Sequence, residues 1–129
     1  MPSLTSVLLV AGGSAVGGVL RMLLVSFTDT RITNSFPLGV LLVNVIGCFV
    51  FGVAVRYGVQ SGGMSDTARV MLTTGLCGGF TTFSAFSMDI VTGLERGRMT
   101  MITSYVMLSL VLCVGGMLLG MSLGRSIAR

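Results

Sequence analysis

The chain has 129 residues, of which 53% are hydrophobic and 9% charged, and a mean hydropathy of +0.98. A soluble domain carries about a quarter charged residues, so this composition excludes one and reads as a membrane protein. The formal net charge of +4 and the pI near 9.6 come from arginines that flank apolar runs without forming a patch or stripe, which excludes a nucleic-acid surface in favour of membrane-surface anchoring.

The charges leave uncharged runs at residues 1–20, 32–55, 70–88 and 99–124, each about one bilayer long, so four transmembrane helices are predicted. The first run lacks a positively charged leader and its apolar pattern continues to Phe27, so it reads as a retained helix over about 4–27, not a signal peptide. Gly13/Gly17 and Ser14/Gly18 repeat a four-residue spacing and mark a close-packing face. Arg21, in the last two turns, either snorkels to the headgroups or acts as a buried ligand. Thr28 through Ser35 reads as a polar loop.

Helix two starts on Pro37 and runs over about 37–57. The one strongly polar side chain in its uncharged part is Asn44, which serves either as interhelical glue or as a pore-lining group. Gly58 to Gly63 is a turn region, and Ser65 before Asp66 is a start signal for helix three, over about 66–94. Asp89 falls late in that span, as a solvated or a functional carboxylate. Glu95-Arg96-Gly97-Arg98 is a tight charged turn. Helix four, over about 99–123, carries a second packing ridge at Gly116, Gly120 and Gly124. Tyr105, Ser109 and Cys113 recur every fourth residue on it, which lines up a phenol, a hydroxyl and a thiol as a polar track.

Helix three holds the unusual stretch. Gly75, Gly78 and Gly79 each weaken a helix by roughly 1 kcal/mol relative to alanine, and the hydroxyls that follow compete for backbone hydrogen bonds. The expectation is a helix broken at residues 75–79, from Gly75 to Gly79. Non-helical backbone at membrane depth is tolerated only where it is buried in protein or lines a wet cavity, so the break predicts a binding site or pore. Phe80, Phe83 and Phe86, three apart, are expected along one side of the resumed helix, and ring edges can accept a small anion without trapping it. Thr81, Thr82, Ser84 and Ser87 add hydroxyl donors at the start of a half-helix, while freed carbonyls around Gly78 and Thr81 suit a small cation.

The chain has no histidine, no paired carboxylates and no phosphate loop, so an enzyme is not expected. Cys48, Cys77 and Cys113 lie in predicted spans without ligand spacing, which argues against disulfides and a zinc site. Four spans put Arg56, Arg69, Arg125 and Arg129 on one side and Arg21, Arg31, Arg96 and Arg98 on the other, a tally of four against four. Orientation follows an imbalance of such residues, so insertion both ways up is expected. Four helices are too few to wall off a water-filled path, and an antiparallel homodimer is the simplest closed assembly.

The length, the four spans and above all Thr73-Thr74-Gly75-Leu76-Cys77-Gly78-Gly79-Phe80-Thr81-Thr82-Phe83-Ser84-Ala85-Phe86-Ser87 resemble the Fluc family of fluoride channels, also called CrcB-like proteins, across essentially the whole chain. The resemblance implies a dual-topology homodimer in the cytoplasmic (inner) membrane of a microbe, multi-pass and in contact with lipid. It implies two pores that export fluoride passively and relieve its toxicity, with a structural sodium ion at the dimer centre. By that similarity Phe83 and Phe86 match the aromatic box of the pore, and Phe80 does not. Gly78 and Thr81 match backbone carbonyl ligands to sodium, Asn44 a pore asparagine, Arg21 an arginine near the vestibule, and Tyr105 and Ser109 a polar track beside Ser84. Val40, Ala85 and Cys113 depart from the hydroxyl residues often found at those positions. The rival readings are a small multidrug-type dual-topology cation exporter, which needs a buried carboxylate to exchange protons, and a non-conducting scaffold.

Overall fold

The computed structural model describes residues 3–31, 36–62 and 64–128. Among these residues every element is helical: α1 (Leu4–Arg31), α2 (Leu38–Ser61), α3 (Asp66–Val70), a π-helical segment (Met71–Cys77), α4 (Gly78–Phe80), α5 (Phe83–Glu95) and α6 (Met99–Ile127). Three single helices, α1, α2 and α6, are long and apolar enough to cross a bilayer. The third span, expected over 66–94, is assembled from shorter pieces between Asp66 and Glu95.

Helix ends follow the side chains that close them. The Ser65 hydroxyl accepts the Ala68 N–H at 3.2 Å and caps α3, as its position before Asp66 predicts. Helix α2 runs into the expected turn as far as Ser61 and stops at Gly62, whose φ of +59° favours glycine. Gly63 lies outside the described residues. After α5 the Arg98 N–H reaches the Gly93 carbonyl and the Gly97 N–H the Leu94 carbonyl, both at 2.9 Å, with Gly97 at φ +70°. That double closure is the charged turn read from the sequence.

One expected loop is helix over part of its length. Thr28 to Arg31 continue α1, because the Thr28 hydroxyl donates back to the Leu24 and Val25 carbonyls at 2.9 and 2.8 Å and is buried where Gly39 of α2 crosses. Residues 32–35 of that loop lie outside the described residues.

Glycines set the packing. A Cβ on Gly120 would strike the Phe49 carbonyl, one on Gly124 would stand 2.8 Å from the Val53 carbonyl, and one on Gly116 would stand 3.3 Å from that of Val45. The ridge expected on the last helix is therefore the seam on which α6 lies against α2, the most extensive pairing in the fold. Val45, Phe49 and Val53 meet these glycines in ascending order, so the two helices run in the same direction. Gly13 and Gly17 of α1 lie against the backbone of Met71, Leu76 and Phe80, while Gly79 presses on Ser14. Gly18, expected in the same face, meets only the end of the Arg21 side chain.

Helix α2 is central, with Val40, Leu41, Val43 and Ala54 buried. Outward faces of α1 and α6 expose Leu8, Val16, Leu23, Val111, Leu118 and Leu119, surface that belongs against lipid or another apolar partner.

Candidate functional site

The break lies elsewhere than at Gly75 to Gly79. Those residues are helical, with Gly78 at φ −64° and ψ −37°, and the chain leaves the helix only at Thr81 (φ −75°, ψ 158°) and Thr82 (φ −150°, ψ 119°). The physical reason is steric. Gly75 and Gly79 lack a Cβ because the backbones at Val10, Gly13 and Ser14 of α1 occupy that space, so these glycines permit a close crossing of helices and their backbone freedom goes unused. The break also splits the aromatic stripe: Phe80 ends α4 and packs toward Gly47, while Phe83 and Phe86 belong to α5.

At membrane depth the polar backbone of two extended residues must find partners inside the protein. Each of the four groups has one. The Thr81 N–H donates to the Cys77 carbonyl at 2.9 Å, and the Thr81 carbonyl accepts from the Arg21 guanidinium at 3.1 Å. The Thr82 N–H donates to Asn44 Oδ1 at 2.8 Å, and the Asn44 amide donates back to the Thr82 carbonyl at 3.1 Å. Asn44 thus pairs with Thr82 as a neighbouring strand would. The pair ties α2 to the break, as the glue reading of Asn44 expects, and one of its two amide hydrogens remains beyond it. Arg21 neither snorkels nor stands free; it holds the break from the α1 side.

Helix α5 restarts with Thr82 as its cap, the hydroxyl accepting the Ala85 N–H at 3.2 Å and lying 3.2 Å from the Ser84 hydroxyl. Ser87 donates to the Phe83 carbonyl at 2.9 Å within the helix. Beside this restart an open groove of about 270 Å³ runs between α2, α5 and α6, lined by Asn44, Cys48, Thr81, Thr82, Phe83, Phe86, Ser109 and Cys113, with Leu110 and Val114 as apolar wall.

The rings form a file. Phe83 and Phe86 have centroids 5.7 Å apart, Phe86 and Tyr105 5.2 Å, and Phe36 meets Tyr105 edge-on at 5.6 Å. Phe83 is 78% exposed and Tyr105 fully buried, so the file runs from the surface inward. The Tyr105 hydroxyl donates to Asp89 at 3.1 Å. One group stands out: the Ser109 hydroxyl is buried and has no hydrogen-bond partner among the described residues. Buried hydroxyls in native proteins are nearly always paired, so an unpaired one on a residue that lines the groove is a donor left over by the protein.

Of the residues singled out by sequence, Asn44, Phe83, Phe86 and Ser109 line one groove, Ser84 adjoins it through Thr82, and Tyr105 backs it through Phe86. Arg21 stands at the other flank of Thr81. Gly78, exposed, lies with Thr81 and Cys77 on a smaller cavity of about 120 Å³. Sequence reading missed Thr82 as the partner of Asn44, Phe36 as a support for Tyr105, and the hydrogen bond that the Ser14 hydroxyl, read only as part of a packing face, donates to the Gly75 carbonyl at 3.3 Å. Threonine ahead of Phe83-Ser84-Ala85 carries a capping signal that could have placed the restart; nothing local points to Phe36.

The family profile described as "CrcB-like protein, Camphor Resistance (CrcB)" matches residues 8–121. The chain belongs to the CrcB-like family. It is 38% identical over 122 residues to a protein of Agrobacterium fabrum, covering 95% of this chain and 98% of that one. It is 40% identical over 125 residues to one of Granulibacter bethesdensis, covering 96% and 98%, and 40% identical over 121 residues to one of Rhizobium leguminosarum bv. trifolii, covering 94% and 97%. Each of these CrcB-like relatives is named "Fluoride-specific ion channel FluC". The family is one of channels.

Proposed function

We propose that this chain is a subunit of a fluoride channel that lets the ion leave the cell passively and so relieves fluoride toxicity. The observation that carries the anion part is the groove that the Phe83 and Phe86 rings line together with Ser109, whose hydroxyl is unpaired. The identity of the anion rests on the relatives, which bear the name of fluoride-specific channels over nearly their full length.

The mechanism follows from dehydration. A bare anion in hydrocarbon costs on the order of tens of kcal/mol, so each lost water contact must be replaced. Along this groove the replacements are ring edges, the remaining amide hydrogen of Asn44 and the hydroxyl of Ser109, with that of Ser84 adjoining through Thr82. They are weak and multiple, which lets the ion move from one to the next. The groups that hold the backbone, Arg21 and the inner half of Asn44, keep this surface fixed while the ion passes.

The groove is open on one monomer, and a second copy is the natural closing wall. Four arginines on each side of the membrane support an antiparallel, dual-topology homodimer, which we place in the cytoplasmic membrane of a microbe. A structural sodium ion at its centre is part of the same reading. The Gly78 carbonyl fits it: the Thr82 N–H that would close the helix onto it is turned to Asn44, and Gly78 is exposed. The Thr81 carbonyl has one lone pair on Arg21 and keeps the second. Such an ion would supply a fixed positive charge between the subunits.

The test is a fluoride-selective electrode trace on purified protein in liposomes. Fluoride efflux driven by its own gradient and set by voltage, with no proton gradient, is expected. A requirement for a proton gradient would favour a multidrug-type exporter, and no flux a scaffold. An exporter needs a proton-exchanging carboxylate in its transport path, yet none lines this groove among the described residues and Asp89 is held by Tyr105. Tags on the C-terminus should report both sides of the membrane; every copy on one side would sink the dual topology.

A further inference from the structure

The groove wall contains a pair of groups that ion passage does not use. At the α2–α6 seam Gly52 lies against the Met117 carbonyl, so the two backbones are in contact there. Four residues earlier on each helix, one turn along the same faces, stand Cys48 and Cys113. Because the helices run in the same direction, this step brings the two side chains to the same level of the seam, where both border one groove. Both are free, both are half-buried and both line the groove beside Asn44, Phe86 and Ser109. Cys77, the third cysteine, is buried and lies on the smaller cavity behind Cys48. No group of three or more histidine, cysteine or carboxylate side chains converges among the described residues.

We propose that Cys48 and Cys113 form a two-coordinate binding site for a soft thiophilic metal ion, of the Hg(II), Ag(I) or Cu(I) class, and that its occupation blocks the groove. Thiolates select soft ions, and a pair without further ligands suits ions that take two sulfurs in a line. Zinc, which wants four ligands, does not fit. On binding Hg(II), each thiol gives its proton to water in the groove, so one ion binds and two protons leave. The metal then ties α2 to α6 beside Ser109 and, as a neutral dithiolate with Hg(II), fills the groove where the anion must pass. This blocking effect rests on the fluoride-channel reading; the binding itself does not.

Two measurements on the full chain separate them. In detergent, with Hg(II) in chloride-free buffer as the probe, titration of free thiols should show the three cysteines falling to one per chain at one equivalent of metal. Cys77→Ser should still lose two. In liposomes Hg(II) should stop fluoride efflux, reversibly with dithiothreitol. The half-inhibitory concentration, taken against each variant's own uninhibited rate, should rise at least tenfold in Cys48→Ser and in Cys113→Ser and stay within twofold in Cys77→Ser. Unchanged inhibition in both single variants, or loss of inhibition in Cys77→Ser, would overturn the site. Consumption of two thiols per metal in protein that carries no fluoride would leave the site standing and overturn the channel reading instead.

Discussion

Replacing Asn44 with leucine removes the two hydrogen bonds that hold Thr82, at 2.8 and 3.1 Å, while roughly keeping volume. An unpaired buried backbone group costs about 1–3 kcal/mol, which for two groups gives about 2–6 kcal/mol. Interhelical hydrogen bonds in membranes average only about 0.6 kcal/mol each, because the chain usually finds other partners. Thr82 has no such recourse, since it is extended and its helix has ended. It does border the groove, where water offers partial compensation, so the expected loss lies near the low end, about 2–3 kcal/mol. Equilibrium denaturation in mixed micelles measures this, with fluoride efflux recorded on the same preparation. If Asn44→Leu unfolds within about 0.5 kcal/mol of the parent while efflux is lost, Asn44 touches only the ion and the bracing argument is wrong.

Phe83→Ile and Phe86→Ile should each slow fluoride efflux while dimers still form on cross-linking; unchanged efflux in both would remove the rings from the path. Their stabilities should differ, since Phe83 is 78% exposed whereas Phe86 packs 5.2 Å from Tyr105, a ring contact worth about 0.5–1.5 kcal/mol. Ser109→Ala deletes a buried hydroxyl with no protein partner, so thermal stability should hold or rise while efflux falls; a clear loss of stability would mean that the hydroxyl is paired within the protein. Gly120→Leu would drive a side chain into the Phe49 carbonyl, and a loss of about 1–3 kcal/mol or failure to fold is expected in the same denaturation assay, with a neutral result counting against the α2–α6 seam.

Much of the fold was legible because its signals are local. Uncharged runs gave the membrane spans, four-residue glycine spacing gave the α6 ridge, and Ser65 and Gly97 gave a helix start and a turn. The shared face of Tyr105, Ser109 and Cys113 was legible for the same reason, since they recur at one-turn intervals, and the last two line one groove. Thr28 misled because its back-bonded hydroxyl satisfies a helix as readily as a loop, and only Gly39 passing over it decides between the two.

The sequence by itself determined that this is an all-helical membrane chain with one disturbed span, and which residue types gather around the disturbance. Those are properties of hydropathy and spacing, which the chain carries without reference to its neighbours. Only the tertiary structure decided where the helix breaks and what holds the break open. Gly75 and Gly79 stay helical because α1 presses on them, and Thr82 leaves the helix because Asn44, 38 residues away, offers a better partner. A glycine's two uses, bending and close approach, look alike along a sequence. They part only when another helix occupies the space where its side chain would be.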